Sequence, residues 1–270
     1  MDTEIMQFLP YEARPEMHIA IKAAREGGSA VLKRYSGQYT TQIRENEPVT
    51  DADKESHNVI TAILQETNIP ILSEEGSQNL PDTEQFWLID PLDGTNDFVN
   101  KTNEFTIIIA LIEKSRPILS VIYWPTENIL YIAEKKKGAY LLKKEWQQMH
   151  VSSRKDIHYA RALMSRHHLS PEEELIIKKL NIPWAAKGSA LKTMEISAGN
   201  AELYFTFSNK ISIWDTAAAY CIVKEAGGKM TDINGDKLLY TQIKHEHGVA
   251  VTNKHIHDEL IHALRIKEDI

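Results

Sequence analysis

A chain of 270 residues with 42% hydrophobic content can build one large domain, or two smaller ones, around a real core. A formal net charge of −7 with no commanding basic run argues against a nucleic-acid polymer as partner, but not against a small anion, because a bound divalent metal reverses the local sign. The single cysteine, Cys221, excludes an intramolecular disulfide, and no apolar run approaches the ~20 residues of a membrane-spanning helix.

Residues 1–14 carry acids and no long apolar stretch. They read as a loose arm, neither a secretory signal nor a membrane anchor, and a cytoplasmic location is expected, with peripheral membrane association left open. From Pro15 a helix is predicted, because Met17, Ile21, Ala24, Gly28, Val31 and Tyr35 recur at spacings of four and three; Gly37 closes it. Pro48-Val49-Thr50-Asp51-Ala52-Asp53 turns into a second helix, with Val59, Ile60, Ile63 and Leu64 as its apolar face. Thr50 or Asp51 suits its N-cap, and Asp53 falls in its first turn, where an acid complements the helix dipole.

A short strand, 69–73, ends at Glu74-Glu75-Gly76. A second apolar run, from Trp87, ends in Asp90-Pro91-Leu92-Asp93-Gly94-Thr95. Pro and Gly cut the strand into a tight turn, which places two acids at the end of a buried strand. Such carboxylates are costly unless neutralised or bound to a metal. Gly94 lets backbone approach a ligand, and Thr95 stands where a helix begins, with free amides suited to a phosphate. The turn also admits a plainer reading, an Asp-Gly turn with Thr95 as helix N-cap.

A strand meander follows over 105–112, 117–124, 129–133 and 138–142, with Lys135-Lys136-Lys137 as a solvated turn. Residues 143–158 are polar and lack clear periodicity, which suits a hinge between halves. Beyond it, a strand over 160–164 leads to Ser165-Arg166-His167-His168 and a helix over 171–180, acidic at its start and basic at its end. Gly188-Ser189 opens a helix to about Ser197, with Ser189 a candidate N-cap and Lys192 an ordinarily solvated lysine; a strand over 201–207 follows. Trp214-Asp215-Thr216 begins an Ala-rich helix that holds Cys221 as core filler and ends at Gly227-Gly228, with Asp215 suited to its N-cap. Strands at 230–233 and 249–252 and a helix carrying Ile256, Leu260 and Leu264 complete the chain. His245, His247, His255 and His257 pair at i, i+2, which does not put two rings on one helix face, so they read as surface residues. Trp124, Trp184 and Tyr204 read as packing. Mixed helices and strands without regular βαβ alternation predict a layered α/β or α+β fold.

Five acids thus stand at element ends: Asp53, Glu74, Asp90, Asp93 and Asp215. Carboxylate oxygens are the preferred ligands of Mg2+, which also keeps waters and takes substrate phosphate. Paired metals support in-line phosphoryl displacement by water.

PVTDAD (48–53), SEEG (73–76), DPLDGTNDF (90–98) and WDTAAAYCIVKEAGG (214–228) together resemble the inositol monophosphatase superfamily of Mg2+-dependent, lithium-sensitive phosphatases. Within it, NEFTIIIALI (103–112), SRHH (165–168), KGSALK (187–192) and AGNAELY (198–204) are similar to the bacterial 3′(2′),5′-bisphosphate nucleotidase branch. The resemblance implies a single phosphatase domain over 1–270, folded as an αβαβα five-layer sandwich of the inositol monophosphatase and fructose-bisphosphatase type. Its first half, 15–142, would carry most metal ligands; its second, 159–266, would carry Asp215 and substrate contacts. It implies two or three Mg2+ per site, held by Glu74, Asp90, the carbonyl of Leu92, Asp93 and Asp215. Asp53, Thr95 and Glu74 would activate the attacking water. Gly94 and Thr95 would bind phosphate, and His168, Ser189, Lys192 and Asp215 the rest of the substrate.

The implied reaction is hydrolysis of 3′-phosphoadenosine 5′-phosphate to AMP and phosphate, with 3′-phosphoadenylyl sulfate as a second substrate, in sulfur assimilation or nucleotide recycling. The implied assembly is a homodimer. One departure matters: the nucleotidases tend to carry Arg where this chain has Thr206, and Lys210 is the nearest replacement. That departure keeps an inositol or sugar phosphatase open, and a non-catalytic metal- and phosphate-binding module is the alternative of another class.

Overall fold

The computed structural model of the protein describes residues 8–44 and 47–265. Helix α1, Pro15–Tyr35, starts with Pro at its first turn, where the missing amide costs nothing. The two-stranded ribbon β1 (Thr41–Arg44) and β2 (Glu47–Thr50) leads into α2, Asp51–Leu64. Helices α1 and α2 bury Met17, Ala20, Ala24, Val31, Ile60 and Leu64 against one face of a seven-stranded sheet.

That sheet has the order β3-β4-β5-β6-β7-β8-β9: Ile71–Ser73, Gln85–Asp93, Thr106–Glu113, Arg116–Trp124, Ile129–Glu134, Gly138–Leu142 and Trp146–Gln148. Only β3 and β4 run parallel. Alternate residues of the central strands serve opposite cores. Trp87, Ile89, Ile107 and Ile109 meet α1 and α2. Leu88, Ile108, Ala110 and Ile112 meet the helices of the middle layer. Burial on both faces explains why these strands read as unbroken apolar runs.

The short helix α3, Thr95–Val99, closes the turn after β4. In the second half, β10 (Ala162–Ser165), β11 (Trp184–Lys187), β12 (Leu203–Thr206), β13 (Lys229–Thr231) and β14 (Val249–Thr252) form a five-stranded sheet, order β11-β10-β12-β14-β13. Between the two sheets lie α5 (Leu191–Ser197) and α6 (Ile213–Glu225). Helix α6 buries residues on all sides, among them Ile213, Ala217, Ala218, Cys221, Ile222 and Val223, as a helix covered on both faces must. Helices α4 (Pro171–Leu180) and α7 (His257–Arg265) cover the outer face of the smaller sheet through Ile176, Ile177, Leu260 and Leu264. The layers are therefore αβαβα, as expected.

Several local expectations change. The loose arm expected over 1–14 lies outside the described residues up to position 7; beyond it Leu9, Tyr11 and Ala13 pack on the large sheet's core. The polar stretch 143–158 contains the edge strand β9. Strand β11 was not apparent in the sequence, because an edge strand with three of four residues exposed has no apolar alternation. His245 and His257 are buried, at 6% and 0% exposure. His245 pairs with Thr216 and His257 with Thr231 and Thr252, and burial holds both imidazoles down to about 4, so they are neutral. Among the described residues no helix is long and apolar enough to cross a membrane.

Candidate active site

One cleft of about 450 Å3 lies where the two halves meet, and all eleven residues singled out by sequence line it. The strand ends supply the acids. Glu74 follows β3, and Asp90 and Asp93 end β4 at a break in register opposite Ile108 and Thr106. A bulge of this kind re-aims side chains out of the ladder. Gly94 then takes φ +91, a left-handed conformation that a side chain would strain, and caps α3 in place of Thr95.

Two helix starts supply the other acids by the same device. Asp53 is the third residue of α2, and its Oδ2 accepts from the Thr50 amide and hydroxyl, both at 2.7 Å. Asp215 is the third residue of α6, and its Oδ2 accepts the Ser212 amide at 2.8 Å. Neither acid is the N-cap itself: each closes a capping box.

The remaining bonds fix the set. The Thr95 hydroxyl lies 3.0 Å from Asp53 Oδ1 and 3.1 Å from the Leu92 carbonyl. Asp90 Oδ1 accepts the Leu92 amide at 3.0 Å. Asp93 Oδ2 accepts the Thr106 hydroxyl at 2.9 Å and the Ala190 amide at 2.5 Å, a tie between the halves. Ser189 is not an N-cap: it sits at φ +47 just before α5, where Ala190 takes that place. Lys192 is not solvated but 8% exposed, with Nζ donating to the Ser189 carbonyl at 2.7 Å and lying 5.2 Å from the Tyr204 ring. Tyr204 packs against the middle-layer core, as read, and also lines the cleft. His168 stays exposed, 3.9 Å from Glu47.

Electrostatically the cleft is under strain. Burial, then repulsion from Glu74, Asp93 and Asp215, pushes the Asp90 carboxyl well above the usual range. Asp215 is raised well above it too, by burial and by Glu74 and Asp93, against the Ser212 amide and Lys192. Burial raises Asp93 against Lys192 and its two hydrogen-bond donors, and raises Asp53 against Thr50 and Thr95. Glu74 rises to about 7 through burial, with Glu75 and Asp53 adding repulsion. Burial lowers the Lys192 ammonium. Several buried acids balanced by Lys192 and, at Glu74, by Arg44 still outnumber the cations beside them and fit a hard divalent cation, which would relieve their repulsion. Among the described residues no three His, Cys, Asp or Glu side chains are drawn tightly enough to hold an ion alone. Mg2+ suits such a spread set, since it completes its shell with waters and substrate oxygens.

The sequence reading overlooked Asp97 and Glu104, which are paired with Arg166 at the rim of the cleft. Asp97 lies inside the DGTNDF motif and Glu104 inside NEFT, but their partners are more than sixty positions away in sequence and left no local signal.

The profile of the inositol monophosphatase family matches residues 12–268. The 3′(2′),5′-bisphosphate nucleotidase CysQ of Buchnera aphidicola is 36% identical over 232 residues, 81% of this chain and 84% of that protein. The enzyme of the same name from Escherichia coli K12 is 34% identical, over 81% and 91%. The crystal structure of CysQ from Bacteroides thetaiotaomicron, a bacterial member of the inositol monophosphatase family, superimposes with a TM-score of 0.77 at 30% identity, covering 88% of this chain and 96% of that one. Fold, motif order and these likenesses agree: the chain belongs to the inositol monophosphatase family.

Proposed function

We propose that the protein is a Mg2+-dependent phosphomonoesterase that hydrolyses 3′-phosphoadenosine 5′-phosphate to AMP and phosphate, and accepts 3′-phosphoadenylyl sulfate. The observation that carries the phosphatase reading is the convergence of four mutually repelling acids, Glu74, Asp90, Asp93 and Asp215, beside the Gly94-Thr95 turn. The nucleotide is supported by the names of the relatives above. Glu74, Asp90, the Leu92 carbonyl, Asp93 and Asp215 would hold two or three Mg2+. When bound, the ions supply Lewis-acid charge at the phosphate and lower the pKa of water.

The chain's own groups do the rest. Asp53 Oδ1 orients the Thr95 hydroxyl, so that Thr95 Oγ1 accepts a proton from the attacking water as its own proton passes to Asp53; Glu74 shares in placing that water. The water oxygen bonds to phosphorus as the ester P–O bond breaks, and the leaving alkoxide takes its proton from solvent water. The Gly94 and Thr95 amides grip the phosphate. Ser189, Lys192, His168 and Asp215 hold the remainder of the substrate. A single catalytic domain, a homodimer and lithium sensitivity belong to the same proposal and rest on the family.

A second reading, an inositol or sugar phosphatase, is favoured by one observation. Thr206 lines the cleft without charge where the resembling nucleotidases carry Arg. Phosphate release with Mg2+ from 3′-phosphoadenosine 5′-phosphate, inositol 1-phosphate and fructose 1,6-bisphosphate separates the two. A kcat/KM at least ~100-fold higher for the nucleotide, about 2.7 kcal/mol of discrimination, is expected. Preference for another ester keeps the metal site and overturns the substrate. Release from none of them returns the chain to the binding-module reading.

A further inference from the structure

Two acids that the chemistry does not use join the halves at the rim of the cleft. Asp97, in α3, is 1% exposed, and the Glu104 side chain, just before β5, is 16% exposed. Arg166, at the end of β10, bridges them: Nε lies 3.3 Å from Asp97 Oδ1 and Nη2 2.6 Å from Glu104 Oε2. His167 Nε2 reaches the same Asp97 oxygen at 3.2 Å, and Lys187 Nζ reaches Glu104 Oε1 at 3.3 Å. Glu104 Oε2 also accepts the Gly188 amide at 2.7 Å.

The loop is pressed hard against this pair. A Cβ on Gly188 would overlap Asp97 Oδ2 and come within 2.8 Å of the Glu104 carbonyl. The next residues are those of the site: Ser189 at φ +47, Ala190 with its amide on Asp93, and Lys192 bonded back to the Ser189 carbonyl. Arg166 and Glu104 are not among the residues lining the cleft. Their side chains reach it through this loop and through Asp97, which lines the cleft itself.

We propose that Arg166, clamped by Asp97 and Glu104, is a positioning residue that sets the 188–192 segment against the phosphate turn, and so governs substrate affinity rather than phosphoryl transfer. The role assigned to that segment rests on the function proposed above. Without the guanidinium, two carboxylates of the first half face each other with less countercharge, and the Gly188 amide loses the partner that fixes its acceptor. A planar fork holds the two acids in one fixed geometry through separate nitrogens, Nε and Nη2, which a single-centred ammonium matches less well. Displacements of ~1 Å at a binding group cost up to about 100-fold in rate.

The test compares wild type, Arg166→Ala and Arg166→Lys as full-length proteins with Mg2+, on the ester the wild type turns over best and on 4-nitrophenyl phosphate, which carries no nucleotide or sugar. Arg166→Ala should raise KM for the preferred ester about 10- to 100-fold and lower kcat by no more than about threefold. On 4-nitrophenyl phosphate it should change kcat/KM by no more than about threefold, and Arg166→Lys should recover only part of the loss. Hydrogen exchange, which needs no turnover, should quicken at the Gly188 and Ala190 amides while the central strands of the large sheet stay protected. Equal loss of kcat on both esters, unchanged KM, or exchange quickened throughout the fold overturns the positioning role. A wild type that prefers another ester overturns the nucleotide assignment alone, because the KM and exchange readouts still judge Arg166.

Discussion

Thr206 is 2% exposed, and its hydroxyl accepts the Ser208 amide at 3.2 Å, so it offers no charge to a second phosphate. Lys210, exposed and four residues on, lines the same cleft and is placed to take over that task. For a bisphosphate substrate, Lys210→Ala should raise KM about tenfold and leave kcat nearly unchanged, while inositol 1-phosphate, with one phosphate, should respond by less than about twofold. Steady-state kinetics on both esters checks this; an unmoved KM assigns the second phosphate to other groups. The acids were legible one by one in the sequence because Pro, Gly and the ends of apolar runs marked where each stood. Lys192 was not. Its burial is imposed by Tyr204 and by the back-bond to Ser189, neither of which a lysine on a helix pattern announces.

At the scale of elements, the site depends on how strands and helices end. Strands β3 and β4 end side by side in parallel, which brings Glu74 next to Asp90, and both are legible as acids after apolar runs. The capping boxes of α2 and α6 fix one oxygen each of Asp53 and Asp215. The Thr50 hydroxyl also accepts the Ala52 amide at 3.1 Å, so cap and site share one side chain. Thr50→Ala should therefore cost about 1 kcal/mol, about 2 °C in a chain of this size, measured by calorimetry. It should also lower kcat more than it raises KM, because Asp53 loses an anchor while the substrate contacts remain. Thr50→Ser should restore both. A variant that loses stability with kcat intact would separate the cap from the chemistry. The strands the sequence concealed are the β1-β2 ribbon, β9 and β11; β1, β9 and β11 are largely exposed and so carry no apolar alternation. His257 was hidden for another reason: Thr231 and Thr252, its partners on two strands, come together only when β13 and β14 pair.

For the whole molecule, five layers bring acids from both halves to one low-dielectric point, which opposes folding until a cation is bound. The sign follows from the direction of the shifts. A carboxyl raised above its unfolded value favours the folded state while it is protonated, and that contribution is lost as pH rises through the folded value. Asp90, Asp93 and Asp215 are raised and Glu74 is pushed up to about 7, so these carboxyls should cost the metal-free protein stability as pH rises from the ordinary carboxylate range, about 4, through about 7. Mg2+ binds the deprotonated carboxylates, so its stabilising effect should grow over the same window. At ~100 times its dissociation constant the ion contributes about 2.7 kcal/mol, about 5 °C, and the shift should be clearly smaller at pH 6.5. His245 and His257, held down to about 4, act in the opposite sense, adding stability as pH rises from about 4 to 6.5, and do so equally with and without Mg2+, so the difference between the two scans isolates the acids. Asp90→Asn removes the most crowded charge without removing volume. It should raise the metal-free Tm at pH 8.5, abolish the Mg2+ shift, leave the circular dichroism spectrum unchanged and lower kcat by ~1000-fold or more. Asparagine keeps the Oδ1 that accepts the Leu92 amide, so an Asp90→Asn protein less stable than wild type in the absence of metal would show that the Asp90 charge is not strained in the fold for the sake of the ion.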